Sequence, residues 1–334
     1  MRSCKRVLVT GGAGFIGSAF IRYVLHAKQA PCERLVNLDL LTYAADLRNL
    51  SSCEQDARYL FLKGDVCDEG LVENICKEEK IDVIVHFAAE THVDRSICDP
   101  KVFCHTNVYG TLALLEVVRR HKEIHYHHIS TDEVYGSLQD RGVFSESSPY
   151  SPNSPYAASK AAADHFVRAY AHTYGLSVTL SHCTNNYGPC QHVEKFIPTM
   201  IASLVSGQPL PIYGKGINVR DWIFVEDHSE AVWKILQRGA SGETYAIGGE
   251  CEKNNLEVAH TVIDVYSQLT QVDAHALRSR IAFVPDRPGH DLRYAIDPKK
   301  IKNELSWSPQ HDFASGLSKT VAWYLENVER LAFS

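Results

Sequence analysis

Eight residues near the start of the chain constrain its fold most: Thr10-Gly11-Gly12-Ala13-Gly14-Phe15-Ile16-Gly17. They follow a short apolar run, Lys5 to Thr10, that reads as a strand, and they lead into Phe15 to Ala27, whose spacing predicts a helix. Glycines at 11, 14 and 17 permit a tight turn, let backbone approach a pyrophosphate, and aim a helix N-terminus at negative charge. Such a motif also occurs as a plain turn, so its surroundings decide. Similar short runs return at Arg34 to Leu38, Tyr59 to Lys63, Val83 to Phe87 and His125 to Ser130, separated by segments able to form helices. That alternation predicts an α/β chain with a doubly wound parallel sheet covered on both faces. After Ser177 to His182 the rhythm loosens into Gly- and Pro-punctuated stretches, with helical patterns at Leu256 to Leu269 and Phe313 to Asn327. Two regions are expected, 1–180 around the glycine turn and 181–334 smaller and loop-rich, with a soft boundary that later segments can re-cross.

A chain of 334 residues has room for about two domains and a sizeable core. Composition is that of an ordinary globular protein, 45% apolar and 22% charged, and no run approaches the ~18 apolar residues a membrane span needs. Thirty-four basic against forty acidic side chains give 34 − 40 = −6, which argues against nucleic acid as a partner. Ten cysteines are scattered without a C-x-x-C pair, so reduced thiols are expected rather than a disulfide framework. The basic start is followed by only Val7 to Val9 before Thr10-Gly11, too short for a signal sequence. A cytoplasmic protein without a membrane partner is therefore expected.

Asp39 ends the second strand about twenty residues after the last glycine, where a carboxylate can accept from both hydroxyls of an adenosine ribose. It would repel a 2′-phosphate, favouring NAD over NADP; a helix cap or loop carboxylate is the alternative. Asp65, after the third strand, could bind an adenine edge or simply shape a turn. Tyr156 and Lys160 are four residues apart, one face of a helix, and an ammonium beside a phenol should lower its pKa toward the working pH. Ser130-Thr131-Asp132-Glu133 follows the fifth strand, where open α/β sheets bind their ligands. His125-Tyr126-His127-His128 looks like a metal cluster, but alternate strand side chains face opposite ways, so packing is expected and no metal.

With these residues, the runs His86-Phe87-Ala88-Ala89-Glu90-Thr91-His92-Val93-Asp94-Arg95-Ser96 and Asn185-Asn186-Tyr187-Gly188-Pro189 complete a pattern, as do Arg220-Asp221-Trp222 and Asp286-Arg287-Pro288-Gly289-His290-Asp291. From about residue 5 to 327 the chain resembles the dTDP-glucose 4,6-dehydratases of the extended short-chain dehydrogenase/reductase superfamily. The glycine motif and the Tyr/Lys pair mark only the superfamily; Thr131-Asp132-Glu133 discriminates. The resemblance implies a Rossmann-type sheet with a C-terminal nucleotide-sugar region, bound NAD, and a homodimer formed through helices near 102–121 and 157–174. It implies that Tyr156, beside Lys160, takes the proton of the sugar's 4-hydroxyl during oxidation at C4, with Thr131 orienting that oxygen. Glu133 would then remove the C5 proton while Asp132, protonated, donates to the departing 6-hydroxyl, and hydride would return to C6.

For the cofactor the resemblance implicates Gly11, Gly14, Phe15, Ile16, Gly17, Asp39, Thr42, Asp65, Val66, Ala88, Ala89, Thr106, Tyr156, Lys160 and Asn186. For the nucleotide sugar it implicates Thr91, Thr131, Asn185, Lys195, Phe196, Pro211, Tyr213, Arg220, Asn255, Arg287 and His290. Arg220 and Arg287 could fork onto a diphosphate or form ordinary salt bridges, Arg220 with Asp221 among them; Trp222 reads as core. Two departures stand out: Leu40 where the family usually has Lys, and Thr91 where Ser is usual. A UDP-sugar 4,6-dehydratase or 4-epimerase is the same-fold alternative, and a non-catalytic dinucleotide sensor the alternative of another class.

Overall fold

The structure, a computed structural model, describes residues 1–27, 31–139, 141–286 and 288–331. Its strands are β1 (Arg6–Thr10), β2 (Arg34–Asp39), β3 (Tyr59–Lys63), β4 (Val83–His86), β5 (His125–Thr131), β6 (Val178–Cys183), β7 (Asn185–Tyr187), β8 (Leu210–Tyr213), β9 (Val219–Phe224), β10 (Thr244–Ile247), β11 (Glu252–Asn254) and β12 (Ile281–Val284). Helices α1 (Phe15–His26), α2 (Glu69–Glu78), α3 (Val93–Cys98), α4 (Pro100–Phe103), α5 (Gly110–Arg120) and α6 (Pro155–Tyr174) occupy the first half. The second half carries α7 (Phe196–Ser206), α8 (Val225–Arg238), α9 (Asn255–Thr270), α10 (Ala274–Arg278), α11 (Lys299–Leu305) and α12 (Phe313–Glu326).

Seven strands form one sheet in the order β10-β6-β5-β4-β1-β2-β3, and every pairing is parallel. Their side chains are largely buried on both faces because helices cover both, apolar on most strands and polar chiefly on β5 and β6. One face packs α1, α8 and α11 around Phe20, Trp233 and Trp307; the other packs α2, α5 and α6 around Leu114, Tyr126 and Val167. The strand order reverses between β1 and β4, which opens a crevice at their carboxyl ends.

The expected boundary at residue 180 falls inside β6. Beyond it the chain leaves the large sheet and returns to it through α8, β10 and α11. The excursions build two small sheets, β11-β9-β7 and β12-β8, over a third core that holds Ile197, Ile201, Trp222, Phe224 and Val262. Trp222 is core, as its sequence context suggests.

Local chemistry fixes the helices that aim at the crevice. Ser154 caps α6 by accepting from the Ala157 amide at 3.1 Å, Pro155 opens its first turn, and Gly175 ends it in the left-handed region. Asn254 and Glu257 form a reciprocal capping box at the start of α9.

Candidate active site

The crevice is a cleft of about 330 Å³ whose wall begins at the glycine turn. Gly11 has φ +69°, and a Cβ on it would lie 2.5 Å from the Ala88 backbone nitrogen. A Cβ on Gly17 would lie 2.3 Å from the Gly11 carbonyl oxygen. Turn and helix are thus packed backbone to backbone, and the first amides of α1, at Phe15, Ile16 and Gly17, face the cleft without an intrahelical partner. At the end of β2, Asp39 is buried and accepts from the Ala13 amide at 2.9 Å and the Leu41 amide at 2.8 Å. Burial raises its pKa, and each oxygen keeps a lone pair for a hydroxyl. Thr42, Asp65, Val66, Ala88, Ala89 and Thr106 complete this wall. Asp65 spends one oxygen on the Cys67 amide at 2.9 Å. Asn186 contributes a buried side-chain oxygen with no partner in the protein. An amide-lined helix start, a ribose-ready carboxylate and a waiting amide oxygen together fit a dinucleotide.

The opposite wall carries ionisable groups at the carboxyl end of β5. Thr131, Asp132 and Glu133 form a tight turn in which the Thr131 hydroxyl accepts from the Glu133 amide at 3.3 Å. Asp132 is 1% exposed, and one of its oxygens has no hydrogen-bond partner. Burial, then the neighbouring Glu133 and Asp221 carboxylates, push its pKa up to about 8. An un-ionised carboxyl therefore sits beside a second carboxylate, a pair able to give one proton and take another. Tyr156 and Lys160 enter the same wall from α6, both buried.

The expected effect of Lys160 on Tyr156 is not what these residues display. Burial, then the Glu133 charge, raise the Tyr156 pKa, while the Thr131 hydroxyl opposes the rise. The Lys160 ammonium donates to the Ile129 carbonyl at 2.7 Å, and burial pushes its own pKa down to about 8. Helical spacing places the pair on one face, but burial sets the direction of both shifts.

Thr91, Thr131, Asn185 and Lys195 of the expected sugar-nucleotide residues line this cleft. Tyr213, Arg220, Asn255 and His290 do not; they gather alongside it. The Tyr213 ring packs edge-on against His290, 6.3 Å between centroids, and His290 pairs with Asp286 at 2.6 Å. Asn255 opens α9 with its amide on the Asn218 carbonyl. The Arg220 guanidinium lies 4.3 Å above the Tyr294 ring and donates to the carbonyls of Val219 and Asp291. Its expected pairing with Asp221 is replaced: Asp221 accepts from the Gly249 amide at 2.9 Å and the Cys251 amide at 2.6 Å, because alternation along β9 sends the two side chains to opposite faces. Charge joins the two areas, since Arg220 lowers the Asp132 pKa and both Arg220 and Glu133 act on Tyr294. Phe196 packs on the third core and Pro211 lies within β8, neither on the cleft wall. Arg287 lies outside the described residues.

Sequence reasoning missed the side chains that bridge the mouth of the cleft. Glu194 accepts from the Tyr43 hydroxyl at 3.0 Å and lies 3.5 Å from His92 and 3.6 Å from Lys195. No spacing rule relates residues 43, 92 and 194. The histidines of β5 divide as alternation requires: His127 bonds Thr179 and Ser181, while His128 faces Lys160. Among the described residues one group could share an ion, Asp65, Cys67 and His105, with donor atoms within 4.8 Å, and the β5 histidines take no part in it.

A parallel sheet with a glycine-turn crevice, and a tyrosine and lysine one helical turn apart, defines the extended short-chain dehydrogenase/reductase class. The description GDP-mannose 4,6 dehydratase matches residues 8–320. A dTDP-glucose 4,6-dehydratase of Xanthomonas campestris pv. campestris (strain B100) is 51% identical over 330 residues, 96% of this chain and 93% of the relative. The crystal structure of the dTDP-glucose 4,6-dehydratase DesIV from Streptomyces venezuelae, which has NAD bound, superposes with a TM-score of 0.91 at 47% identity, covering 97% of this chain and 98% of that one. A double mutant of the same enzyme, also with NAD, gives 0.92 at 46%, over 98% and 100%. The chain belongs to the dTDP-glucose 4,6-dehydratase family.

Proposed function

We propose that the protein is an NAD-dependent dTDP-glucose 4,6-dehydratase that converts dTDP-glucose to dTDP-4-keto-6-deoxyglucose and water. The observation that carries this reading is Asp132, a buried carboxyl with an unpartnered oxygen on the cleft wall directly beside Glu133, where burial and the Glu133 charge favour its protonated form. Simple oxidation or epimerisation at C4 has no use for such an acid; loss of a hydroxyl does.

The amides of Phe15, Ile16 and Gly17 would hold the pyrophosphate of NAD and Asp39 its ribose, with Asn186 and Lys160 toward the other end. NAD, when bound, supplies the acceptor for the hydride lost from C4, the donor that returns it to C6, and a positive charge in the pocket. Tyr156 takes the proton of the 4-hydroxyl, and Thr131, whose hydroxyl reaches both Tyr156 and Asp132, orients that oxygen. The 4-ketone acidifies the C5 hydrogen; Glu133 removes it and Asp132 delivers its proton to the 6-hydroxyl as water leaves. As hydride returns to C6, Glu133 gives its proton back to C5, and the proton taken by Tyr156 restores Asp132. Tyr213, Arg220, Asn255 and His290 extend the cleft for the nucleotide diphosphate.

The same reading includes a homodimer. Val102, Tyr109, Phe166 and Tyr174 are large, exposed side chains on the segments expected to pair, and apolar surface of this kind favours burial against a second copy. The ten cysteines are free, as a reducing cytoplasm would keep them, and no helix among the described residues is long and apolar enough to cross a membrane.

Purified protein given dTDP-glucose or UDP-glucose in parallel, followed by mass spectrometry, tests the reading. Loss of one water from dTDP-glucose is expected. Faster loss from UDP-glucose, or an unchanged mass with inverted C4, would replace it.

A further inference from the structure

Behind Lys160 lies a buried network that the steps above leave unused. Tyr156, Lys160 and Asp164 stand at i, i+4 and i+8 on α6 and share the face turned to the sheet. Asp164 is fully buried. Its Oδ2 accepts from Ser130 Oγ at 2.9 Å, from the Tyr150 hydroxyl at 2.9 Å and from His182 Nε2 at 3.0 Å. Its Oδ1 lies 3.3 Å from His128 Nε2 without a well-aligned donor. The Lys160 ammonium also reaches His128 Nε2, at 3.3 Å. Lysine can only donate, so Nε2 accepts there and the His128 proton sits on Nδ1, toward the Tyr126 hydroxyl at 3.2 Å.

Each element packed against Lys160 brings a titratable group. His86 comes from β4, His128 from β5, Cys183 from β6, and Tyr156 and Asp164 from α6 itself. Burial keeps both histidines neutral and pushes the Cys183 thiol up to about 12, whereas the neighbouring His128 and His182 rings hold the Asp164 carboxyl well below the usual carboxylate range against its burial. Asp132 and Glu133 act on Tyr156 instead. Asp164 is therefore the charge that opposes the loss of the Lys160 proton in a site where desolvation favours it.

We propose that Asp164 is a positioning residue for the reaction, its charge keeping the Lys160 ammonium protonated while the His128 ring, accepting from that ammonium, keeps it aimed along the Tyr156 face of α6. The inference rests on the dehydratase reading for its kinetic consequences but not for its direct titration. Without Asp164 the Lys160 pKa falls further, so the ammonium is lost at lower pH and a phenolate formed at Tyr156 loses its counter-charge there.

The test is Asp164→Asn, which keeps the shape and an acceptor, with His128→Gln as a second variant that removes the ring accepting from Lys160 and leaves the carboxylate. The nitrogen resonance of the Lys160 ammonium, followed against pH in selectively labelled protein with its NAD, should titrate at least about one unit lower in Asp164→Asn. Turnover of dTDP-glucose at neutral pH should fall a few-fold and more steeply above it, its alkaline limb moving to lower pH, while KM and retained NAD stay within about twofold. His128→Gln should move both readouts the same way by less, and decides the matter if Asp164→Asn does not fold. An unmoved Lys160 titration and pH profile in the variant that folds, with only a lower melting temperature, would overturn the proposal. Absence of turnover in the wild type would instead sink the dehydratase reading and leave the titration to stand alone.

Discussion

The cleft wall at the glycine turn and the area alongside the cleft are made in different ways. The wall at the ends of β1 and β2 is largely backbone: a glycine turn, the amides that open α1, and one carboxylate held by two amides. The area reaching from Lys195 to His290 is assembled from side chains of β8, β9, the start of α9 and the loop beyond β12. Backbone sites tolerate almost no added atom, because nothing can rotate away. Side-chain sites lose one contact at a time, so substitutions there should change affinity by degrees. Between them, the end of β5 and the face of α6 hold groups whose chemistry depends on desolvation rather than on contact.

The largest effect should come from that middle region. Tyr156→Phe removes the oxygen proposed to take the 4-hydroxyl proton and should lower turnover by about 10²- to 10⁴-fold, with no reduced cofactor formed, read by nicotinamide absorbance after substrate is added. Next is Gly11→Ala: with φ +69° and Ala88 at 2.5 Å, the new methyl displaces backbone, and the protein should be recovered with little NAD. Retention of a full complement of NAD would erase the contrast drawn between the two areas.

A smaller effect is a pH dependence with a definite sign. The Asp132 pKa is raised from the ordinary carboxylate range to about 8, so between those limits the folded chain holds a proton that the unfolded chain lacks. Stability should fall as pH rises through that window, and Asp132→Asn should flatten the dependence of melting temperature on pH. Turnover should decline above about pH 8 as the acid ionises. Smallest is Tyr213→Ala, expected to raise KM for dTDP-glucose by a few-fold with kcat and NAD content unchanged. A tenfold drop in kcat would place Tyr213 with the reacting groups instead.

Legibility from sequence followed the same division. Arg6 to Thr10, Phe15 to His26 and the strands through Thr131 could be placed from short runs and glycine punctuation because their constraints are local. Asp39 was legible by its distance from the turn, and Tyr156 with Lys160 by helical spacing. The resemblance supplied Asp132 and Glu133, but only folding shows why one of two adjacent carboxyls keeps its proton: Asp132 is buried to the last atom and Asp221 arrives from β9. Spacing was misleading for Asp221, which turns away from Arg220, and for the sign of the Tyr156 shift. Asp164 lies one helical turn past Lys160 and was readable by the same rule, yet its partners come from β5, β6 and Tyr150, which no local pattern connects. Glu194 with His92 and Tyr43 was unreadable for that reason alone.

Asp132 and Glu133 are proposed to act as acid and base across C5 and C6 after oxidation at C4. The most direct measurement is a single turnover of dTDP-glucose by Glu133→Gln, following nicotinamide absorbance and loss of water together. Oxidation should proceed and the reduced cofactor should persist, while elimination slows by about 10²- to 10⁴-fold. Elimination at the wild-type rate, or no oxidation at all, would contradict the assignment.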